Sequence, residues 1–201
     1  MKTVFFAASA TALALTAAMP ASAQDAGTMT LAFGLGYVRP QDDNGPLAGP
    51  TPLEIGDNTR PTVAFEYFIR DNLGLEVLAA TPFKHALYSS GTYIGATKHL
   101  PPTVSLNYHI PTGGKVTPFV GAGINYTVFF QEQSPLGNLK IDDSFGFALH
   151  AGADFAISDK GAIRADLRYI QIEPDVTLNG TAMGKAKINP LVAGIAYVMK
   201  F

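Results

Sequence analysis

Ser105 and His109 are the residues whose types could supply a nucleophile and its general base, since a serine hydroxyl attacks only when an imidazole takes its proton. They lie four positions apart on one alternating segment and one face. At ~3.3 Å per strand residue that separation is roughly 13 Å, too far for a hydrogen bond. The spacing therefore argues against an enzyme. His85 and His99 offer imidazoles to a metal, but without thiolate or carboxylate companions at ligand spacing they read as solvated loop residues, and no metal site is expected. Gly34-x-Gly36 and Gly121-x-Gly123 look like fragments of a phosphate-cradling loop. They sit inside strands with no helix following, so close packing and barrel curvature explain them better. What remains is a set of charges of both signs embedded in apolar segments: Glu66, Glu76, Asp154, Arg164, Asp166 and Arg168. Their natural chemistry is ion pairing, and neither a catalytic group nor a cofactor is expected.

The elements that must position these charges are strands. Side chains of a strand alternate between two faces, and eight segments alternate: 29–37, 62–69, 73–80, 103–109, 119–130, 144–155, 163–170 and 191–201. In the last, Leu191, Ala193, Ile195, Tyr197, Met199 and Phe201 form one apolar face, and the other carries small residues and Lys200. In every segment that holds a charge, the charge shares the face opposite the large apolar residues. A soluble barrel has the reverse arrangement. An Arg or Lys facing lipid near mid-membrane costs about 2–4 kcal/mol, so the charged face must point inward and the apolar face toward lipid. Connections also alternate in length: short at 70–72, 110–116 and 157–161, long and rich in Gly, Pro, Asn and Asp at 39–59 and 83–99. Short periplasmic turns and long outer loops are the pattern of a transmembrane barrel.

The ends and the composition agree. Lys2, an apolar run from Val4 to Ala18 and the small residues Ala21-Ser22-Ala23 read as a secretory signal peptide over 1–23, leaving one barrel domain over 24–201. The net charge of −2 with no basic cluster gives nucleic acid no footing. The absence of cysteine excludes a disulfide framework. Charged residues make up 15%, below the ~25% usual for soluble domains.

Leu78-Ala79-Ala80-Thr81-Pro82-Phe83-Lys84-His85, Leu100-Pro101-Pro102-Thr103 and above all Pro118-Phe119-Val120-Gly121-Ala122-Gly123-Ile124-Asn125-Tyr126-Thr127 resemble the OmpW family of small outer-membrane barrels. The resemblance implies an all-β, eight-stranded antiparallel up-and-down transmembrane β-barrel in the bacterial outer membrane. It further implies a monomer that lets small hydrophobic molecules cross and leave sideways into the bilayer. Its partners would be outer-membrane lipids, the solutes and the barrel-insertion machinery, which reads a terminal signal here formed by Tyr197, Met199 and Phe201. One departure is the complete absence of Trp, so the interfacial belts must be built from Tyr and Phe. The resemblance also aligns Leu78 with an apolar constriction, and puts Arg168 where some members carry an aromatic.

Strand direction then sorts the inward residues by height. Glu66, Glu76, His109, His150, Asp154, Arg164, Asp166, Arg168 and Lys200 fall low or midway, and Ala64, Leu78, Ala80, Ala148, Ile170 and Val192 fall high, with Thr103 and Asn125 as polar exceptions. The expectation is a paired charge plug below an apolar pocket open to the outside, with Arg168 and Glu76 forming a polar floor under Leu78. A barrel of eight strands holds at most one small ligand. The competing reading is a structural or adhesion barrel acting through its outer loops, which predicts a filled lumen and strand-like extensions above the membrane.

Overall fold

A computed structural model describes residues 24–45, 47 and 53–201; the expected signal peptide lies outside the described residues. Fourteen strands run in chain order: β1 Met29–Arg39, β2 Leu53–Ile55, β3 Asn58–Arg70, β4 Leu73–Ala80, β5 Phe83–Ser89, β6 Thr92–Leu100, β7 Thr103–His109, β8 Val116–Gln133, β9 Leu139–Ile141, β10 Ser144–Ala156, β11 Gly161–Ile170, β12 Asp175–Leu178, β13 Thr181–Lys185 and β14 Leu191–Lys200. No helix occurs among the described residues.

Eight of these strands close a ring, β1-β3-β4-β7-β8-β10-β11-β14, with β14 returning to β1, and every neighbouring pair is antiparallel. Closure removes the unpaired edges that an open sheet would present. The alternation read from the sequence maps onto the two surfaces. Phe33, Leu35, Val63, Phe65, Val77, Leu106, Ile124, Phe147, Leu149, Leu167 and Ile195 are exposed on the outside, where lipid rather than water meets them. Tyr67, Tyr108 and Tyr197 mark the lower rim, and Tyr37 and Tyr126 the upper. The two upper tyrosines donate to Asp57 and Asp143, the bond to Asp143 measuring 2.8 Å. An amphipathic ring with its apolar body in lipid and its hydroxyl in water suits each interface, so tyrosine supplies both belts here.

Much of the outer connections is strand rather than loop. The stretch 83–99 is the hairpin β5–β6, paired to β2 on one side and to the upper part of β8 on the other. Residues 139–141 and 175–185 add a second small sheet, β9-β12-β13. Two tight turns make these hairpins: Ser90 and Gly91 between β5 and β6, and Asn179 and Gly180 between β12 and β13, all four with positive φ. Two consecutive residues at positive φ match the right-handed twist of the flanking strands. Leu53, Leu87, Phe129, Ile141, Val176 and Ile188 from these extensions pack onto Ala148, Ile170 and Ile172 at the top of the barrel as one apolar core.

Candidate functional site

Inside the ring, β3, β4, β10 and β11 aim their charges at one another. Arg164 is the hub. Its Nε and Nη2 donate to the two carboxylate oxygens of Asp154 at 2.7 and 2.9 Å, its Nη1 to Glu76 at 3.0 Å and its Nη2 to Glu66 at 3.3 Å. The guanidinium also lies 4.6 Å from the centre of the Phe119 ring. Arg168, two strand periods higher on β11, donates to the second oxygen of Glu76 at 2.8 Å. The imidazoles complete the layer: His109 Nε2 lies 3.0 Å from Glu66, and His150 Nε2 3.0 Å from Asp166. Glu66 and Glu76 are both 1% exposed, so these charges are stabilised by one another and by hydrogen bonds rather than by bulk water.

Glycine makes room for this layer. A Cβ on Gly74 would stand 2.3 Å from Glu66 Oε1, and one on Gly194 would stand 2.3 Å from Asp166 Oδ1. Both carboxylates lie folded over bare backbone.

Above the charges, the inner wall is formed by Ala64, Leu78, Ala80, Ala148, Ile170 and Val192; Ala64, Ala148 and Ile170 are buried and the other three half-buried. The polar exceptions satisfy each other, with Asn125 Nδ2 donating to Thr103 Oγ1 at 3.0 Å and Thr127 Oγ1 donating to Asn125 Oδ1 at 2.6 Å. Below the charges, a cavity of about 360 Å³ opens at the periplasmic end, bordered by Asp154, Lys115, Lys160 and Lys200. The charge layer separates it from the upper lumen.

Two expectations change. The upper lumen is apolar, but the strand extensions pack onto it. Among the described residues the cavities there are small: one of about 20 Å³ under the cap, one of about 30 Å³ beside Leu78, Ala80, Ile170 and Val192, and one of about 40 Å³ between Ala64, Leu78 and Val192 and the charges Glu76, Arg164 and Arg168, in place of an open pocket. His85 and His99 are not solvated loop residues: they are 2% and 1% exposed, stacked on the inner face of β5–β6. Sequence reasoning missed them because the hairpin itself was read as a loop; the signal available was Ser90-Gly91 between two alternating runs. Ser105 and His109 both point inward and engage different partners. The Ser105 hydroxyl accepts from Arg168 at 3.4 Å, and His109 meets Glu66.

The wall itself has one weak stretch. The β4–β7 ladder ends at Leu78 and Thr103. The residues that lead into β7 above that pair are Pro101 and Pro102, which have no N–H to donate.

Comparisons with known proteins agree with this geometry. The sequence model described as the OmpW family matches residues 25–201. Outer membrane protein W of Vibrio cholerae is 35% identical over 207 residues, spanning 94% of this chain and 95% of that one. The crystal structure of the outer membrane protein OprG from Pseudomonas aeruginosa superposes with a TM-score of 0.79 at 27% identity, covering 89% of this chain and 98% of that one. A protein of Pseudomonas aeruginosa named for a dibenzothiophene metabolism operon, PahQ, is 29% identical over 156 residues, 74% of each chain. A closed eight-stranded ring with a lipid-facing apolar exterior, matched by the family model over residues 25–201, is an outer-membrane barrel, and the chain belongs to the OmpW family.

Proposed function

We propose that this barrel passes small hydrophobic molecules across the outer membrane, taking them from outside into the apolar upper lumen and releasing them sideways into the bilayer. The observation that carries the reading is the division of the lumen at Leu78. Beneath it Glu76, Arg164 and Arg168 form a buried ion-paired layer, and an apolar solute meeting that layer would have to displace charge-assisted hydrogen bonds. Above it the wall is apolar, and the ladder between β4 and β7 stops beside the prolines. The downward route is closed by charge, and the sideways route crosses a stretch with few hydrogen bonds to break. The name of the related protein from a dibenzothiophene operon, an apolar aromatic compound, supports the same solute class. The reading assigns no catalytic group. The six charges act as the plug, the six upper residues as the passage, and Tyr197, Met199 and Phe201 as the signal for insertion.

The test is uptake of a fluorescent apolar solute, beside a small polar one, by cells with and without the protein. Faster entry of the apolar solute alone supports the reading. Leu78→Asp should then bring that entry close to the rate of cells lacking the protein, while the barrel still folds, because the new carboxylate lies in a cavity it shares with Arg168. Normal entry in that variant removes Leu78 from the path. The packed cap and strand extensions favour a second reading, a barrel whose outer hairpins do the work. It predicts no difference in entry for either solute.

A further inference from the structure

His85 on β5 and His99 on β6 stack nearly parallel, with ring centroids 5.0 Å apart and 7° between their planes. Phe83 and Phe129 lie 5.6 and 5.5 Å from the His99 ring. Two ring nitrogens in this apolar stack have no hydrogen-bond partner among the described residues: His85 Nε2 and His99 Nδ1. A buried polar atom left unpaired is costly, and the few that occur call for an explanation. The chemistry of one is fixed. His85 Nδ1 contacts the carbonyl oxygen of Gly56, which can only accept, so Nδ1 carries the proton and Nε2 presents a lone pair. Burial lowers the affinity of both imidazoles for a second proton, holding His99 down to about 3, so that lone pair is present at neutral pH.

The stack also stands in a particular place. Both rings line the cavity under the cap with Leu87 and Phe129, and His99 also lines the cavity beside Leu78 and Ile170. His99 is thus the partition between the two apolar spaces above the charge layer. The upper space, about 20 Å³, holds about one water molecule, or one hydroxyl group.

We infer that the His85–His99 pair recognises the hydroxyl group of an otherwise apolar solute, a phenol or an alcohol, as it passes through the upper lumen. This rests on the channel reading and narrows its solute class. An O–H can donate its one hydrogen to His85 Nε2, and its oxygen then accepts from His99 Nδ1 in the tautomer that carries the proton there. A hydrocarbon leaves both nitrogens unpaired. An ether brings only an acceptor, which His85 Nε2 cannot use. A site built to hydrogen-bond a hydroxyl discriminates strongly against an analogue lacking it. The apolar body then passes when the His99 ring swings from its place between the cavities.

The experiment compares entry of 2-naphthol with that of its methyl ether, 2-methoxynaphthalene, into cells carrying the full-length protein and into cells without it. The two solutes share the aromatic body and differ in the donor hydrogen. The protein should raise the naphthol-to-ether ratio roughly tenfold over that of cells without it, the factor corresponding to about 1.4 kcal/mol. His85→Phe, which keeps an aromatic ring beside Phe83, should return the ratio to the protein-free value. His99→Phe serves the same comparison if the first variant does not assemble. Faster entry of both solutes with an unchanged ratio overturns the inference and leaves the channel reading intact. Entry of neither above the control overturns both. A raised ratio that persists unchanged in an assembled His85→Phe or His99→Phe barrel likewise overturns the inference.

Discussion

Replacing Arg164 with Gln should destabilise the barrel more than any other single change in the lumen. The guanidinium makes four charge-assisted hydrogen bonds to three carboxylates, at 2.7, 2.9, 3.0 and 3.3 Å. Such bonds are worth about 1.5–3 kcal/mol each when taken singly, but they are not additive. The better guide is that removing one partner of a buried ion pair costs about 3–5 kcal/mol, because the other charge is left buried and unpaired. Glu76 keeps Arg168 at 2.8 Å, and Glu66 keeps Asn107 at 3.1 Å and His109 at 3.0 Å. Asp154 is the carboxylate that loses most, so a loss of about 4 kcal/mol is expected, roughly a thousandfold in the unfolding equilibrium. Adding Asp154→Asn should return about 2 kcal/mol of it by removing the stranded charge. The measurement is urea unfolding in phosphatidylcholine vesicles, with the folded fraction read from the mobility of unheated samples on a gel, because the chain has no Trp to report by fluorescence. A single variant within about 1 kcal/mol of wild type, with no recovery in the double variant, would refute the argument. It would mean that the lumen charges are solvated and that no closed plug exists.

Three further outcomes follow from other parts of the molecule. Gly74→Val should destabilise by about 1–3 kcal/mol, since its first carbon would meet Glu66, while Gly56→Ala, with nothing within 4 Å, should be close to neutral; the same urea titration separates them. Acid should loosen the β5–β6 hairpin. Burial holds His99 down to about 3 and lowers His85, with Asp57 opposing and Arg60 reinforcing the shift at His85, so the opened hairpin binds more protons than the closed one. Its closure is therefore strongest above about pH 6.5 and weakens as pH falls toward 3. Hydrogen exchange of β5–β6 amides, corrected for intrinsic rate, should rise over that window while β1 and β14 stay protected. Deleting Phe201 should lower the amount of folded protein in the outer membrane without changing synthesis, as measured by fractionation; normal levels would remove the terminal aromatic from the insertion signal.

Most of the barrel was legible because lipid imposes a rule that sequence obeys locally. A strand between lipid and a charged interior must alternate, and 73–80 and 103–109 coincide with β4 and β7 residue for residue. Heights of the inward residues followed from strand direction alone, which brought Glu76 and Arg168 to one level. The outer hairpins were harder to read because their strands do not face lipid. In β5, Lys84 and His85 interrupt the apolar signal, and burial of His85 is decided by β2, β6 and β8 rather than by its neighbours in sequence. The turn residues Ser90-Gly91 and Asn179-Gly180 carried the local information. The hub role of Arg164 was not legible, since it depends on two carboxylates from β3 and β4, nearly a hundred residues away.

The pairing of β14 with β1, from Thr30 against Lys200 to Arg39 against Leu191, bears on how the molecule is made. The first barrel strand to leave the ribosome finds one of its two partners only in the last. Until Leu191–Lys200 arrives, β1 and β11 each carry a row of unpaired backbone groups that hydrocarbon does not tolerate. A prematurely terminated chain therefore has no sealed form to adopt in lipid. Synthesis of β14 acts as a built-in completeness check, and contacts spanning almost the whole sequence place sealing late and make it slow.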